Sequence, residues 1–429
     1  MTTVHALERE LLETIITREN VSRAWQRVKS NKGAAGVDAV SVTDFPAWAR
    51  QHWPEIKSKV LNGDYQPEAV RRVWIPKPNG DKRPLGIPTI ADRIIQQAIA
   101  QQLVPHFERE FSDNSYGFRP GRNAHQAVRQ VRDYIRAKYR FIVDIDLAAF
   151  FDSVNHDVLM RLVAKRVKDK RVLKLIGKYL RAGVIENGTW QATPMGVPQG
   201  GPLSPLLANI VLHELDTYLH QCGHKFARYA DDFVVCVRSE RAAKRVQANV
   251  TRYLKQMLRL SVNEAKSRVC TSNELEFLGF VFKRNKIVWS DKALHKFKHR
   301  IRQLTGRSWG VSLGYRYREL RLYMVGWLNY FALSEYYRPV PELDEWLRRR
   351  MRCCYWKMWR WPRTKIKHLL SLGVSLKEAI KTGTSSKGPH AMSRTQTTQM
   401  AMTNEWLKAQ GLVSIKDQWI NFHYPASTA

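Results

Sequence analysis

Cysteine is scarce in this sequence: there are five residues among 429, and no two of them form a Cys-x-x-Cys pair. This scarcity argues against a disulfide framework and against a zinc module, because both need clustered thiols. Long apolar runs are also missing, and no stretch approaches the roughly twenty residues of a membrane-spanning helix. The first residues mix acids and bases and lack the apolar stretch of a signal peptide. We therefore expect a cytoplasmic protein with reduced thiols and no membrane partner.

Acidic residues are few relative to basic ones: 38 Asp and Glu stand against 71 Lys and Arg, so the formal net charge is +33. Solubility alone does not require such an excess. A polyanionic partner would explain it; nucleic acid is the leading candidate and an anionic membrane surface the alternative. The excess is concentrated in residues 283–368, where 22 Lys and Arg face 6 Asp and Glu, a net charge of +16. This stretch also has aromatic residues at helical spacing, which predicts a basic helical module with most rings in its core.

Hydrophobic periodicity predicts helices and strands in an irregular order, without the alternation of a doubly wound sheet, so the expected fold class is α+β. The predicted helices cover residues 5–30, 43–61, 89–107, 155–182, 240–259 and 404–410. The predicted strands cover residues 73–75, the stretch around Leu85, 140–147, the hairpin 226–237 and short segments between 275 and 289. Asn123 and Ser204 are predicted as N-caps of two further helices. Residues 382–400, rich in Ser, Thr and Gly, predict a loop.

Two adjacent carboxylates, Asp231 and Asp232, occupy the predicted tight turn of an apolar hairpin, in the sequence Tyr-Ala-Asp-Asp. An acidic surface turn is the ordinary explanation of an isolated Asp-Asp pair. Adjacent carboxylates repel each other, however, and the hairpin gains nothing structural from them. A divalent cation would remove the repulsion, because Mg²⁺ prefers carboxylate oxygens and keeps positions open for phosphate. The turn therefore points to metal-assisted phosphoryl or nucleotidyl transfer.

A second acidic pair, Asp144 and Asp146, alternates with apolar residues in the predicted strand 140–147, so both carboxylates lie on one face. Carboxylates on one side of a buried strand are costly unless they bind cations. The bulky ring of Phe151 follows shortly after the strand and could stack beneath an incoming sugar. Two-metal catalysis would require the fold to bring this strand close to the Asp231–Asp232 turn.

The loop 194–205 lies between these two motifs in the chain and contains adjacent glycines, four prolines and Gln199. The glycines allow the backbone to approach a ligand closely, and Gln199 offers an amide to a base or sugar. A rigid interdomain turn is the alternative interpretation. Upstream, Lys77 and Arg83 flank a predicted Pro-Asn-Gly hairpin turn. They could hold a triphosphate, although a solvated basic turn explains them equally well.

Three further basic residues are candidate contacts with nucleic acid. Arg119 and Arg122 lie among aromatic residues in the segment 115–122, a composition suited to holding a template strand. Lys266 follows the helix predicted after the Asp-Asp hairpin.

The ordered motifs from Val70 to Phe282, the Gly-rich block 31–38 and the segment 323–331 resemble the group II intron reverse transcriptases, also called maturases, of bacteria. This resemblance implies a right-hand polymerase with fingers, palm and thumb, and a basic helical maturase domain. It implies Asp146, Asp231 and Asp232 as catalytic metal ligands for Mg²⁺, with Mn²⁺ as the alternative. Asp146 fits better than Asp144, since the family places its aromatic sugar gate five residues after the ligand. From Asp146 that position is Phe151.

The resemblance also implies roles for other residues: triphosphate binding by Lys77 and Arg83, and a place beside the nascent base pair for Gln199. The implied domains are an N-terminal extension (1–69), fingers (70–135), palm (136–283), thumb and maturase domain (284–381) and a tail (382–429) that could bind DNA. The implied partners are intron RNA, a template–primer duplex, target DNA and deoxynucleotides, in the bacterial cytoplasm at the nucleoid. We expect an endonuclease-lacking lineage resembling group IIC.

Three functional hypotheses follow from these observations. The first is an RNA-directed DNA polymerase that also assists splicing and performs target-primed reverse transcription in retrohoming. The second is a non-catalytic RNA-binding splicing factor, in which the basic module holds the intron. The third keeps the polymerase chemistry but places it in a retron, a phage-defence system or a repair pathway. The three carboxylates argue against the second hypothesis, because no structural need calls for them.

Overall fold

The computed structural model describes residues 10–76 and 80–425. The chain divides into two compact units, Met1–Thr271 and Ser272–Ala429. This boundary lies within the segment predicted as palm. Among the described residues, no helix has the length and apolar character needed to cross a membrane.

The first unit mixes ten helices and eight strands among its described residues. In chain order they are α1 (Leu11–Ile15), α2 (Arg18–Ser30), α3 (Phe45–Asn62), β1 (Val70–Pro76), β2 (Lys82–Ile87), α4 (Ile90–Glu108), α5 (Ala124–Arg136), β3 (Phe141–Ile145), α6 (Phe150–Ser153), α7 (His156–Ala164), α8 (Lys170–Leu180), β4 (Val184–Glu186), β5 (Thr189–Gln191), α9 (Ser204–Gln221), β6 (Lys225–Tyr229), β7 (Asp232–Val237), α10 (Glu240–Met257) and β8 (Arg268–Thr271). The prediction of an irregular α+β order is confirmed.

Two four-stranded sheets organise this unit. One has the strand order β2-β1-β4-β5, with β1 and β2 forming an antiparallel hairpin and β4 parallel to β1. The other has the order β6-β7-β3-β8, with every neighbouring pair antiparallel. Helix α10 packs on β3, β7 and β8, and α5 packs on β6 and β7. Helices α4 and α9 are buried around most of their circumference, so they form the centre of the unit's core.

Local sequence signals explain several helix ends. Asn123 begins α5 with a capping box: its side chain accepts from the Gln126 backbone, and the Gln126 side chain accepts from the Asn123 backbone. The prediction for Ser204 is wrong, because Leu203 is the N-cap of α9 and Ser204 is already helical. The Ser204 hydroxyl instead donates to the Pro198 carbonyl at 2.6 Å. It therefore anchors the preceding loop to the helix.

The second unit begins with a three-stranded antiparallel sheet of order β11-β10-β9, and helices follow it. Its elements are β9 (Glu276–Phe277), β10 (Phe280–Lys283), β11 (Lys286–Trp289), α11 (Asp291–Leu304), α12 (Leu313–Phe331), α13 (Pro339–Met358), α14 (Pro362–Ser371), α15 (Leu376–Gly383), α16 (Pro389–Met392), α17 (Gln396–Ala401), α18 (Asn404–Ala409) and α19 (Ile415–His423). The ring of Trp327 packs on those of Phe297 and Phe331. Trp327 is buried, as predicted for the rings of this module, and Phe331 is partly buried.

The loop predicted over 382–400 is wrong, because α16 and α17 lie within it and α19 follows further along the chain. Thr395, one of the residues that indicated a loop, is instead the N-cap of α17 and accepts from the Thr398 backbone; Ser414, beyond this segment, caps α19 by accepting from the Asp417 backbone. Tertiary packing completes these short helices. The indole of Trp419 in α19, for example, donates to the Ser334 carbonyl at 2.8 Å.

Candidate active site

Strand register brings the two acidic motifs together. In the antiparallel pair of β3 and β7, Ile145 lies opposite Phe233 and Asp144 lies opposite Val234. Continuing that register by one residue places Asp146 beside Asp232, where β3 ends and β7 begins. Since side chains alternate across a strand, Asp144, Asp146 and Asp232 share one face of the sheet. The predicted hairpin is confirmed, with Ala230 and Asp231 forming the turn between the paired residues Tyr229 and Asp232.

The electrostatics of this face reflect crowded negative charge. Desolvation by the surrounding protein, and then the charges of Asp231, Asp146 and Asp144, raise the pKa of Asp232 to about 6. Asp232 nevertheless keeps an exposed surface, so a cation could reach it from solvent. Burial and the charge of Asp146 also raise the pKa of Asp144 to about 6, against the opposing effect of Arg268. The arrangement would be relieved by a cation.

Basic residues approach the acidic face from β8 and from the segment that leads into it. The Nζ of Lys266 lies 3.8 Å from Oδ2 of Asp146, and the Nε of Arg268 lies 4.0 Å from Oδ2 of Asp144. The same segment holds the Asp146 backbone, whose N–H donates to the Ser267 hydroxyl at 3.0 Å and whose carbonyl accepts from the Asn263 N–H at 2.8 Å. Lys266 therefore lies beside a predicted catalytic carboxylate.

The donor set suits a hard divalent cation bound in an open site. Asp146, Asp231 and Asp232 offer carboxylate oxygens, the ligands that Mg²⁺ prefers. Within residues 10–76 and 80–425, no three or more His, Cys, Asp or Glu side chains are grouped closely enough to hold a metal ion as they stand. Binding of a cation by Asp146, Asp231 and Asp232 is therefore inferred from their crowded charges and the β3–β7 register, and Mg²⁺ would also take waters and substrate phosphates as ligands. The mutual repulsion of the carboxylates is the structural reason why the site fits a cation.

A buried arginine supports the Asp-Asp turn from behind. The guanidinium of Arg228 donates from Nη1 to the Ala230 carbonyl at 3.0 Å and to Oδ1 of Asn209 at 2.9 Å, and from Nε to Asp216 at 2.8 Å. Both Arg228 and Asp216 side chains are 0% exposed. Sequence reasoning missed this pair, although an arginine inside an apolar strand was a signal that a buried acid must exist elsewhere.

The segment 115–122 packs directly against the same turn. The Tyr116 N–H donates to the Arg228 carbonyl at 2.8 Å, and the Asn209 side chain donates to the Gly117 carbonyl at 2.9 Å. A Cβ at Gly117 would lie only 2.2 Å from the Ala230 nitrogen, so glycine is required at this close approach.

The structure gives Arg119 a structural role in place of the predicted contact with nucleic acid. Its guanidinium pairs with Glu108 at 2.7 Å and donates to the carbonyls of Ser112 and Ser115, and its side chain is 2% exposed. A buried guanidinium with these partners is not accessible to a phosphate. Arg122 is 27% exposed and pairs with Asp113, so its predicted contact stays a prediction.

Two of the predicted nucleotide-binding residues, Arg83 and Gln199, belong to one chain of side-chain hydrogen bonds. The Arg83 Nε donates to Oε1 of Gln199 at 2.9 Å, and the Gln199 Nε2 donates to Oδ2 of Asp152 at 3.3 Å. The Gly86 N–H also donates to the Gln199 carbonyl at 2.7 Å, which ties the hairpin β1–β2 to the loop. Asp152 was missed by sequence reasoning, although it directly follows Phe151. Burial raises the pKa of Asp152, opposed by the charges of Arg72 and Arg83.

Phe151 lies in α6, immediately after the acidic strand, and is 8% exposed. Its carbonyl accepts from the Val197 N–H at 2.6 Å, so the loop carrying Gln199 is fastened to the element carrying the ring. A cavity of about 410 Å³ lies beside this junction and is lined in part by Asp152, Arg72 and Trp74. Lys77 lies outside the described residues.

The family described as reverse transcriptase (RNA-dependent DNA polymerase) matches residues 75–282, and the group II intron maturase-specific domain matches residues 294–373. Protein YkfC of Escherichia coli K12 is 35% identical over 318 residues, covering 65% of this chain and 82% of YkfC. The group II intron-encoded protein LtrA of Lactococcus lactis is 40% identical over 206 residues, covering 48% of this chain and 34% of LtrA. Among solved structures, a chain of the partial Cas6-RT-Cas1–Cas2 complex is similar with a TM-score of 0.38 and 24% identity, covering 57% of this chain and 42% of that one.

Proposed function

Because this chain belongs to the group II intron reverse transcriptases, we propose that it copies RNA into DNA and also binds the intron RNA that encodes it. The observation that carries the polymerase proposal is the β3–β7 register, whose last pair is Ile145 and Phe233, so that Asp146 and Asp232 are the next residues on each side at the Asp-Asp turn. Reverse transcriptases as a family use divalent metal ions. Mg²⁺ is the proposed ion here, held by Asp146, Asp231 and Asp232, and Mn²⁺ is the alternative.

Each residue of the site has a proposed task. When bound, a pair of cations would lower the pKa of the primer 3′-hydroxyl and stabilise the leaving pyrophosphate. Arg83 holds the triphosphate together with Lys77, and Gln199 orients Arg83 through their hydrogen bond of 2.9 Å. Phe151 supports the incoming sugar. Lys266, 3.8 Å from Asp146, neutralises part of the carboxylate charge between reactions.

Primer extension on an RNA template with Mg²⁺ tests the polymerase proposal. Wild-type protein should incorporate deoxynucleotides, and Asp231→Ala should lower the rate by at least about two orders of magnitude, because it removes a metal ligand. Asp133→Ala is the matched control: it deletes an exposed carboxylate in α5, which is 54% exposed, and should leave the rate unchanged. Absence of incorporation by the wild type would refute the proposal.

The maturase-specific domain and the local charge of +16 support a second activity, binding of the host intron RNA to assist splicing. An in vitro splicing assay with the Asp231→Ala protein separates the two activities, since splicing assistance should survive while DNA synthesis is lost. Target-primed reverse transcription in retrohoming would combine both. A gene without surrounding intron sequence would favour the retron, defence or repair hypothesis instead.

A further inference from the structure

A cavity of about 100 Å³ in the second unit is bordered by an unusual concentration of positive charge. Three arginines line it, Arg307, Arg349 and Arg350, together with His390 and the indole of Trp346. They come from α13, from the turn after α11 and from α16. No acidic side chain lines this cavity in the part of the chain that the structure describes.

The inner wall of the cavity is fixed in place. Arg350 donates to the hydroxyl of Thr305 and, through Nη2, to the Arg302 carbonyl at 3.2 Å. The guanidinium carbons of Arg350 and Arg302 lie 5.4 and 5.8 Å from the centre of the Trp346 ring, so two cations share one indole. Arg350 therefore reaches the cavity as an ordered guanidinium.

The charge around the cavity is not compensated within the protein. Five arginines lie at or near the cavity: Arg302, Arg307, Arg349, Arg350 and Arg394. None of them forms an ion pair with an acidic side chain of residues 10–76 or 80–425. Their effect is visible at His390, whose pKa is lowered first by Arg394 and then by Arg349, Arg307 and Arg350. Burial, followed by Arg302 and Arg307, lowers the pKa of Arg350. A partly buried cation among like charges is costly unless an anion pairs with it.

We propose that this arginine pocket binds a single phosphate of a nucleic acid backbone. The guanidinium fork matches phosphate oxygens in geometry, and a tetrahedral oxyanion offers enough acceptors for three guanidinium groups at once. The inference deepens the proposed function, on which it rests: it places one specific backbone contact within the basic module. RNA and DNA strands share this chemistry, and the experiment below separates them.

The test measures affinity for a fluorescein-labelled RNA strand, and for DNA of the same sequence, between about 50 and about 200 mM KCl. The double variant Arg307→Gln with Arg349→Gln should bind at least about tenfold more weakly at the lower salt concentration. Its plot of log affinity against log salt should be less steep by about one unit, because one phosphate contact is lost. The single variant Arg349→Lys should bind more tightly than the double variant but more weakly than the wild type, since lysine keeps the charge but not the planar fork. A larger loss for RNA than for DNA identifies RNA as the source of the phosphate.

The control is the double variant Arg360→Gln with Arg363→Gln, which removes the same charge from the link between α13 and α14 and from the first turn of α14. Equal losses of affinity in both double variants, or wild-type affinity in Arg349→Lys, would overturn the proposed phosphate site, because only the general positive charge would then matter. Thermal unfolding midpoints matching the wild type establish that each variant is folded. Failure of the wild type to bind RNA would refute the proposed function. Wild-type binding that the pocket variant does not change would refute only the pocket.

Discussion

The buried guanidinium of Arg228 donates a hydrogen bond of 3.0 Å to the carbonyl of Ala230, the residue that precedes Asp231. Ala230 has a φ of 58°, in the left-handed region that a residue with a side chain rarely adopts. A strained turn persists only when its surroundings determine it. Arg228 supplies that restraint, and Asp216 balances its charge. The position of the Asp-Asp turn is thus set from inside the core.

The first prediction concerns this restraint. Replacing Arg228 alone would leave Asp216 buried and unpaired, at a cost of about 3–5 kcal/mol. The double variant Arg228→Met with Asp216→Leu removes both charges and should fold with a similar midpoint. Its rate of nucleotide addition should nevertheless fall about 10- to 100-fold, because the turn loses an anchor. Single-turnover primer extension and thermal unfolding measure the two effects.

Template–primer affinity is the internal control for that variant and should not change. Manganese binding, followed by electron paramagnetic resonance, should weaken if the turn has shifted. A double variant that folds and adds nucleotides at the wild-type rate would show that Arg228 has no positioning role.

The second prediction concerns Gly117, where a Cβ would meet the Ala230 nitrogen at 2.2 Å. Gly117→Ala should displace the catalytic turn and cost about 1–3 kcal/mol of stability, because the clash is with backbone. Gly326→Ala is the matched control: a Cβ there meets nothing within 4 Å, and the position is in the middle of helix α12. That variant should be neutral or slightly more stable. Thermal unfolding and primer extension of both proteins decide the matter; equal behaviour would contradict the prediction.

The third prediction concerns the hydrogen bond between Arg83 and Gln199. Gln199→Met keeps the side-chain length but removes both the acceptor for Arg83 and the donor to Asp152, so Arg83 loses its orientation. Loss of the bond to Arg83, worth about 1 kcal/mol, should raise the KM for deoxynucleotides about fivefold with a smaller change in kcat. Gln191→Met, in the wall of the adjacent cavity, is the control. Steady-state kinetics distinguish the two, and an unchanged KM for Gln199→Met would count against the proposed role.

The fourth prediction is a pH dependence of stability at Asp92, which is 1% exposed in α4. Burial raises its pKa to about 6, although hydrogen bonds from Thr89 and Tyr65 oppose the rise. The folded state therefore holds a proton that the unfolded state releases between about pH 4 and about pH 6. Over that window, rising pH should reduce the stability of the wild type relative to Asp92→Asn by up to about 3 kcal/mol.

Urea unfolding of both proteins at several pH values measures this difference. Tyr65→Phe provides the control, because it deletes a hydrogen bond of 2.8 Å to the carboxylate. In the Tyr65→Phe protein the pKa of Asp92 should rise further, so stability should continue to fall up to a higher pH than in the wild type. A stability difference that stays constant or grows in favour of the wild type would contradict the assignment.

Short-range signals were sufficient for several features of the site. The Asp-Asp hairpin, the strand carrying Asp144 and Asp146, and the cap at Asn123 follow from alternation, turn chemistry and capping, which act between near neighbours in the chain. The hairpin and the cap are confirmed as local structures, and the strand is confirmed over Phe141–Ile145, so that Asp144 lies within it and Asp146 directly follows its end. The ordered motifs also identified the family, because residue types and their order can be read from the sequence without knowledge of the contacts.

Partners distant in sequence were decided only by the tertiary structure. Arg119 and Arg122 look alike in sequence, yet only Arg119 is buried against Glu108. Likewise, nothing near Arg228 in the sequence indicates that its partner would be Asp216. The short helices α16 and α17 formed where the sequence predicted a loop, whereas the helix predicted over 404–410 is present as α18. The physical reason is common to these cases. Burying a charge or ordering a short helix is unfavourable alone, and becomes favourable only when remote segments supply the hydrogen bonds and the packing surface.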